Sequence, residues 1–170
     1  MIEVLVIGGA AGSGKSSVAY ELSHQLQADG VGHAVVDTDA LDMVFPVPHD
    51  LPRVTERNLA AVWASFDELG VARLIVTGVY LHRPSEVVSI RRAVPGAAVT
   101  LVRLEASEAT LRARVQAREI GSARAAQLER TLRQMTELDT ADPDVTAVRT
   151  DSRPVEAVAA DIRLIAGWAE

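Results

Sequence analysis

Apolar residues along this chain fall into short continuous runs, separated by longer stretches in which they recur every three or four positions. Residues 2–8 (Ile-Glu-Val-Leu-Val-Ile-Gly) form a run of the kind found in parallel strands buried on both faces. A glycine-rich loop follows. Val18, Ala19, Leu22 and Leu26 then make a helical stripe that stops before Gly30. Residues 32–37 predict a second strand, ending in Asp37-Thr38-Asp39, and Pro46, Pro48 and Pro52 interrupt the next stretch. Leu59, Val62, Trp63, Phe66 and Leu69 mark one face of an amphipathic helix, and 73–77 predict a third strand broken by Gly78. Ser85 is placed to cap a helix over 86–94, and 97–104 predict a fourth strand. Ser107 caps a helix that carries Leu111 and Val115, and another helix is expected over 123–138. Val145–Arg149 predicts a fifth strand, and Val155, Val158, Ala159, Ile162, Ile165 and Ala166 line a closing helix. Strands alternating with helices from end to end predict an α/β protein in three layers, with a five-stranded parallel sheet. In such sheets ligands bind at the carboxyl ends of the strands. The glycine loop, the Asp pair, Gly78–Arg83 and Thr150–Arg153 all fall on that edge.

Length and composition narrow the picture. At 170 residues, 48% of them hydrophobic, the chain suits one well-packed domain, taken here as 1–170. A net charge of −6 argues against the broad basic surface that nucleic-acid binding needs. With no cysteine there is no disulfide and no thiolate metal site. The four His residues (His24, His33, His49 and His82) show no metal-ligand spacing. The opening Met1-Ile2-Glu3-Val4 lacks the features of a signal peptide, and no apolar run approaches the ~20 residues that span a membrane. The expectation is a cytoplasmic protein, monomer or homodimer, with no nucleic-acid or membrane partner. Of seventeen basic residues sixteen are Arg, and the only Lys is Lys15. A compact ammonium has persisted there against the bias of the whole sequence.

Lys15 sits in Gly9-Ala10-Ala11-Gly12-Ser13-Gly14-Lys15-Ser16, with Ser17 next in the same turn. The pattern G-x-x-x-x-G-K-[ST] lets successive backbone N–H groups turn inward around phosphates, with Lys on the β/γ oxygens and the Ser hydroxyl on Mg²⁺. A predicted strand before it and a predicted helix after it supply the required context. ATP and Mg²⁺ are the expected ligands.

The loop, the Asp-x-Asp after the second strand and the pair Arg114 and Arg118 make the chain resemble the small P-loop kinases of the nucleoside-monophosphate-kinase type. That group includes shikimate, gluconate and adenylylsulfate kinases and chloramphenicol phosphotransferase. The resemblance spans the whole order of elements. It implies strand order 2-3-1-4-5 and a short lid over about 119–125. Period two would put Asp37 and Asp39 on one side of a strand, aimed across the loop mouth. One carboxylate would serve the metal, and the other would take the proton of an attacking hydroxyl. Resemblance to shikimate-type kinases makes Asp37 the metal-side group and Asp39 the base, whereas resemblance to chloramphenicol phosphotransferase makes the first Asp the base. Both assignments stay open at this stage. Leu74–Gly78, where many P-loop ATPases carry a metal-binding carboxylate, has none, which disfavours motor and transporter ATPases. A guanine-reading GTPase would need a second Lys.

By the same resemblance, Arg114 stacks on or flanks the adenine, Arg118 reaches the transferring phosphoryl group, and Arg153 belongs to a loop lying against the base. Arg112 and Arg124 flank the same region. Asp39, Arg53, Arg57, Tyr80 and Arg83 are the candidate acceptor contacts, with Arg53 and Arg57 as partners for an anionic group. The expected activity is transfer of the γ-phosphate of ATP to a small hydroxylated acceptor. The competing readings are a nucleotide kinase with a phosphate acceptor and an ATP-binding regulatory protein that phosphorylates no small molecule.

Overall fold

The first strand is buried on both faces, which explains why it reads as an unbroken apolar run. Leu5 and Ile7 belong to one core and Val4 and Val6 to another, all at most 1% exposed. The computed structural model describes residues 1–118, 123–138 and 142–168. In chain order the elements are β1 (Glu3–Gly8), α1 (Lys15–Ala28), β2 (Ala34–Asp37), a 3₁₀ turn (Thr38–Ala40), α2 (Leu51–Asp67), β3 (Arg73–Thr77), α3 (Pro84–Ala93), β4 (Ala98–Glu105), α4 (Glu108–Arg118), α5 (Ala123–Leu138), β5 (Val145–Arg149) and α6 (Val155–Ile165). The five strands are parallel and ordered β2-β3-β1-β4-β5, with Val6 opposite Val76 on one side and Leu101 on the other.

Helices cover both faces. Val18, Ala19, Leu22 and Leu26 of α1 meet Val158, Ala159 and Ile162 of α6 over the face that carries Leu5, Ile7 and Val102. On the opposite face Leu59 and Trp63 of α2 and Ile90 and Ala93 of α3 pack on Val4, Val6, Leu74 and Val76. Among the described residues no helix is long and apolar enough to cross a membrane.

Three details differ from the sequence expectation, each for a local reason. The helix expected from Ser85 starts at Pro84, with Arg83 as its cap residue and no side-chain cap bond. Pro favours the first helical position, and its fixed φ sets the start two residues early. Leu69 is 78% exposed because α2 ends at Asp67 and the chain turns at Gly70, so it is not part of the apolar stripe. Asp39 does not lie on a strand: β2 stops at Asp37 and the chain tightens into the 3₁₀ turn. The Thr38 hydroxyl donates to the Thr77 carbonyl at 3.0 Å and pulls that turn onto the end of β3. Gly78 permits the approach, since a Cβ there would lie 2.4 Å from the Thr38 hydroxyl.

Candidate active site

The loop between β1 and α1 wraps the start of a helix. Gly14, the cap residue of α1, has φ of +103°, a backbone that side chains rarely adopt, and it supplies no side-chain cap. The first amides of α1 are therefore left without an intrahelical or side-chain acceptor, at the positive end of the helix dipole. Lys15 is buried, and its Nζ donates to the carbonyls of Gly9 (2.8 Å) and Ala10 (3.2 Å). Burial lowers its pKa, Asp39 and Asp37 oppose that shift, and the charge of Arg118 adds to it.

The end of β2 faces this loop. The Ser16 hydroxyl donates to Asp37 Oδ2 at 3.1 Å, and Asp37 Oδ1 accepts from the Asp39 amide at 3.1 Å. Asp37 thus holds the turn that presents Asp39. Burial raises the pKa of Asp39, the neighbouring Asp37 charge raises it further, and Lys15 works against both. Ser16 and Asp37 bring two hard oxygen donors together. That set suits Mg²⁺, which keeps several waters and takes few protein ligands. No cluster of three or more His, Cys, Asp or Glu able to hold a metal occurs among the described residues.

A cavity of about 720 Å³ opens above these groups. The loop residues Ala11 to Ser17 line it, with Asp39, Asp42, Met43 and Val79 from the β2 and β3 ends and Arg114, Arg118, Gln127, Arg130, Gln134, Thr150 and Arg153 from the β4 and β5 side. Arg114 is anchored: one guanidinium nitrogen donates to the carbonyls of Gly12 and Ser13 and to the Thr150 hydroxyl, and the other to the Thr150 carbonyl, all at 3.0–3.2 Å. It ties the phosphate loop to the end of β5. Asp151 accepts from the Ser107 amide at 2.9 Å and the Thr110 hydroxyl at 2.6 Å, and these bonds draw its pKa down to about 2. Arg153 is paired with Asp161 at 2.6 Å, and Arg118 is exposed at the rim. Arg112 is paired with Glu108 at 2.7 Å. Of the expected lid, 119–122 lie outside the described residues, and 123–125 begin α5.

The expected acceptor residues are only partly brought together. Tyr80 donates to Glu137 at 2.7 Å, Arg83 lies 3.9 Å over the Tyr80 ring, and Arg83 is 3.6 Å from Glu137. Burial and that hydrogen bond raise the Tyr80 pKa. Arg53 and Arg57 are exposed on α2 and do not line the cavity. Sequence reading missed Gln134. It is 7% exposed, and its side-chain carbonyl accepts from the Ala11 amide at 3.0 Å. Gln127, Arg130 and Gln134 recur at spacings of three and four, so one face of α5 fronts the cavity. That spacing was visible in the sequence, but nothing in it said which face turned inward. His82 is buried below the loop with Nδ1 unpartnered, and burial and then the charges of Arg103 and Arg83 push its pKa down to about 4.

No protein-family model matches the chain, and no curated protein matches it. Solved structures do. A tunicamycin resistance protein of Deinococcus radiodurans superposes with a TM-score of 0.68 at 17% identity, over 98% of this chain and 96% of that one. A sugar kinase from Janibacter sp. HTCC2649 gives 0.66 at 19% identity, over 99% and 96%. An APS kinase from Mycobacterium tuberculosis, in complex with AMPPNP and APS, gives 0.64 at 18% identity, over 96% of each chain. The chain shares its five-stranded parallel α/β/α fold with these proteins. At these identities the likeness speaks for the fold, and the chemistry has to be argued from the side chains.

Proposed function

We propose that this chain is an ATP- and Mg²⁺-dependent phosphotransferase that delivers the γ-phosphate to a hydroxyl of a small acceptor. The observation that carries the reading is the meeting of Lys15, the Ser16–Asp37 pair and Asp39 at the mouth of one loop. Gly9, Ala10, Ala11, Gly12, Ser13, Gly14, Lys15, Ser16 and Ser17 would cradle the phosphates, with the Lys15 ammonium on the β/γ oxygens. Ser16 and Asp37 would hold Mg²⁺, which when bound screens the phosphate charge. Asp37 is already engaged with Ser16 and the Asp39 amide, so Asp39 is the carboxylate left to meet an acceptor. This favours Asp39 as the base over the reverse assignment. The acceptor hydroxyl gives its proton to Asp39 as its oxygen bonds to the γ-phosphorus. The bond to the β–γ bridging oxygen breaks, and ADP leaves with that electron pair. Arg118 and Arg130, which line the cavity, would offset charge on the transferring group. Arg114 would brace the loop from its place beside the adenine.

The kinase names of the structural neighbours support the reading at the level of fold. Its test is a screen of transfer from γ-labelled ATP to sugars, nucleosides and hydroxylated antibiotics, run beside Asp39→Asn. Label should pass to at least one acceptor and fail to do so in the variant. ATP hydrolysis that no acceptor stimulates and that Asp39→Asn leaves unchanged would favour a nucleotide-binding regulatory protein instead.

A further inference from the structure

The cavity is electrically polarised along the sheet edge. Lys15, Arg114, Arg118, Arg130 and Arg153 line it from the β1 loop and from the β4 and β5 side. Asp39 and Asp42 line it from the end of β2, the opposite edge of the sheet. Arg53 and Arg57 are exposed and outside the cavity lining, and Arg83 is engaged with Glu137 and the Tyr80 ring. An anionic group seated at the β2 end would meet two carboxylates with no cation from α2 to offset them.

The same end is apolar. Met43 lines the cavity and is 85% exposed, and Val44 (47%), Phe45 (93%) and Val47 (67%) continue from it. Single exposed apolar residues are ordinary, but four within five positions, in a segment that enters the cavity lining at Met43, mark a binding surface. The strip is held at both ends. Asn58 of α2 donates to the Leu41 carbonyl at 2.7 Å, and Asp50 caps α2 by accepting from the Arg53 amide. We propose that the acceptor is a hydroxylated molecule bearing an apolar group and no anionic group, its hydroxyl at Asp39 and its apolar part against Met43, Phe45 and Val47. This rests on the phosphotransferase reading above. The continuity of the strip with the cavity through Asp42 and Met43 is what assigns it to the acceptor rather than to a second copy of the chain.

The test uses the full chain with AMPPNP and Mg²⁺ filling the nucleotide site, and the neutral dye Nile red as the probe. Dye affinity should fall at least about tenfold in the double variant F45S/V47S, with both proteins monomeric by sedimentation. Phenyl β-D-glucoside should displace the dye, and phenyl β-D-glucuronide, which differs by one carboxylate, should displace it more weakly. Equal displacement by the two glycosides, unchanged dye affinity in F45S/V47S, or a dimer that only the double variant dissolves would each overturn the proposal. Failure of the phosphotransferase reading looks different: the binding results hold, yet label from γ-labelled ATP reaches no hydroxyl compound. If instead the enzyme labels gluconate or AMP in preference to neutral aryl alcohols, the transfer reading stands and this proposal falls.

Discussion

The two ends of the cavity are held in place by different means. At the end proposed for the phosphates almost every group is fixed by the backbone or to it: Lys15 and Arg114 bond loop carbonyls, Gln134 accepts from the Ala11 amide, and the Thr150 hydroxyl donates to the Ser13 carbonyl. At the β2 end, proposed for the acceptor, the chain is pinned at Thr38 to Thr77, at Asn58 to Leu41 and at the Asp50 cap of α2, and the segment between Leu41 and Asp50 exposes apolar side chains. A ligand class shared by many enzymes can be met by a rigid backbone cradle. An acceptor particular to one enzyme is met by exposed side chains, which can change without disturbing the core.

The largest effect that separates the two ends should come from Asp39→Asn. We expect kcat for the best acceptor to fall by about 10²–10⁴-fold, the usual loss with a positioned base, while nucleotide affinity changes little. Steady-state transfer rates and calorimetric nucleotide titration check both halves. An equal loss of nucleotide affinity would erase the distinction between the ends.

His82 tests the floor beneath the loop. Its folded pKa of about 4 lies below the ordinary histidine value of 6.5, so between those pH values the unfolded chain binds the extra proton. Stability is then lost as pH falls through that window, by about 2 kcal/mol between pH 7.5 and 5 from this group. Urea unfolding of wild type and His82→Leu should show a shallower pH dependence in the variant. Parallel curves would mean that His82 charges without penalty.

A smaller effect is expected at Gln134. Removing its side chain in Gln134→Ala deletes the bond to the Ala11 amide, a loss of about 1 kcal/mol, visible as a lower Tm and weaker nucleotide binding. A variant with unchanged nucleotide affinity would show that α5 does not brace the loop. Smallest of all, Arg53→Ala and Arg57→Ala should leave kcat/KM and stability within about 0.5 kcal/mol of wild type, because both side chains are exposed outside the cavity. A tenfold rise in KM for either would restore the anionic-acceptor view.

How much of this was legible in the sequence follows the same division. The strands and the β1 loop could be read because burial on both faces leaves apolar runs, and because wrapping phosphate demands glycines and a Lys at fixed spacing. Helix α5 was placed over 123–138 with its ends correct. The role of Gln134 was not legible, because a polar residue on a polar helix carries no mark of the partner it will meet 123 positions away. The Asp pair was found, but its geometry was misjudged. Period two applies only within a strand, and β2 ends at Asp37, two residues short of Asp39, where the Thr38–Thr77 bond holds the turn. Arg53 and Arg57 were chosen for their charge, and only the path of α2 shows that they face away from the cavity lining.

Calorimetric titration of Mg²⁺–AMPPNP into wild type, Lys15→Ala and Asp39→Asn tests this division of labour without any acceptor in hand. Loss of a charge-assisted contact costs about 1.5–3 kcal/mol, so Lys15→Ala should weaken binding by roughly ten- to more than a hundredfold. Asp39→Asn should bind within about twofold of wild type or slightly tighter, because it removes a negative charge near the phosphates. Wild-type affinity in Lys15→Ala, or a loss in Asp39→Asn as large as that in Lys15→Ala, would contradict the assignment of one end to the nucleotide and the other to the acceptor.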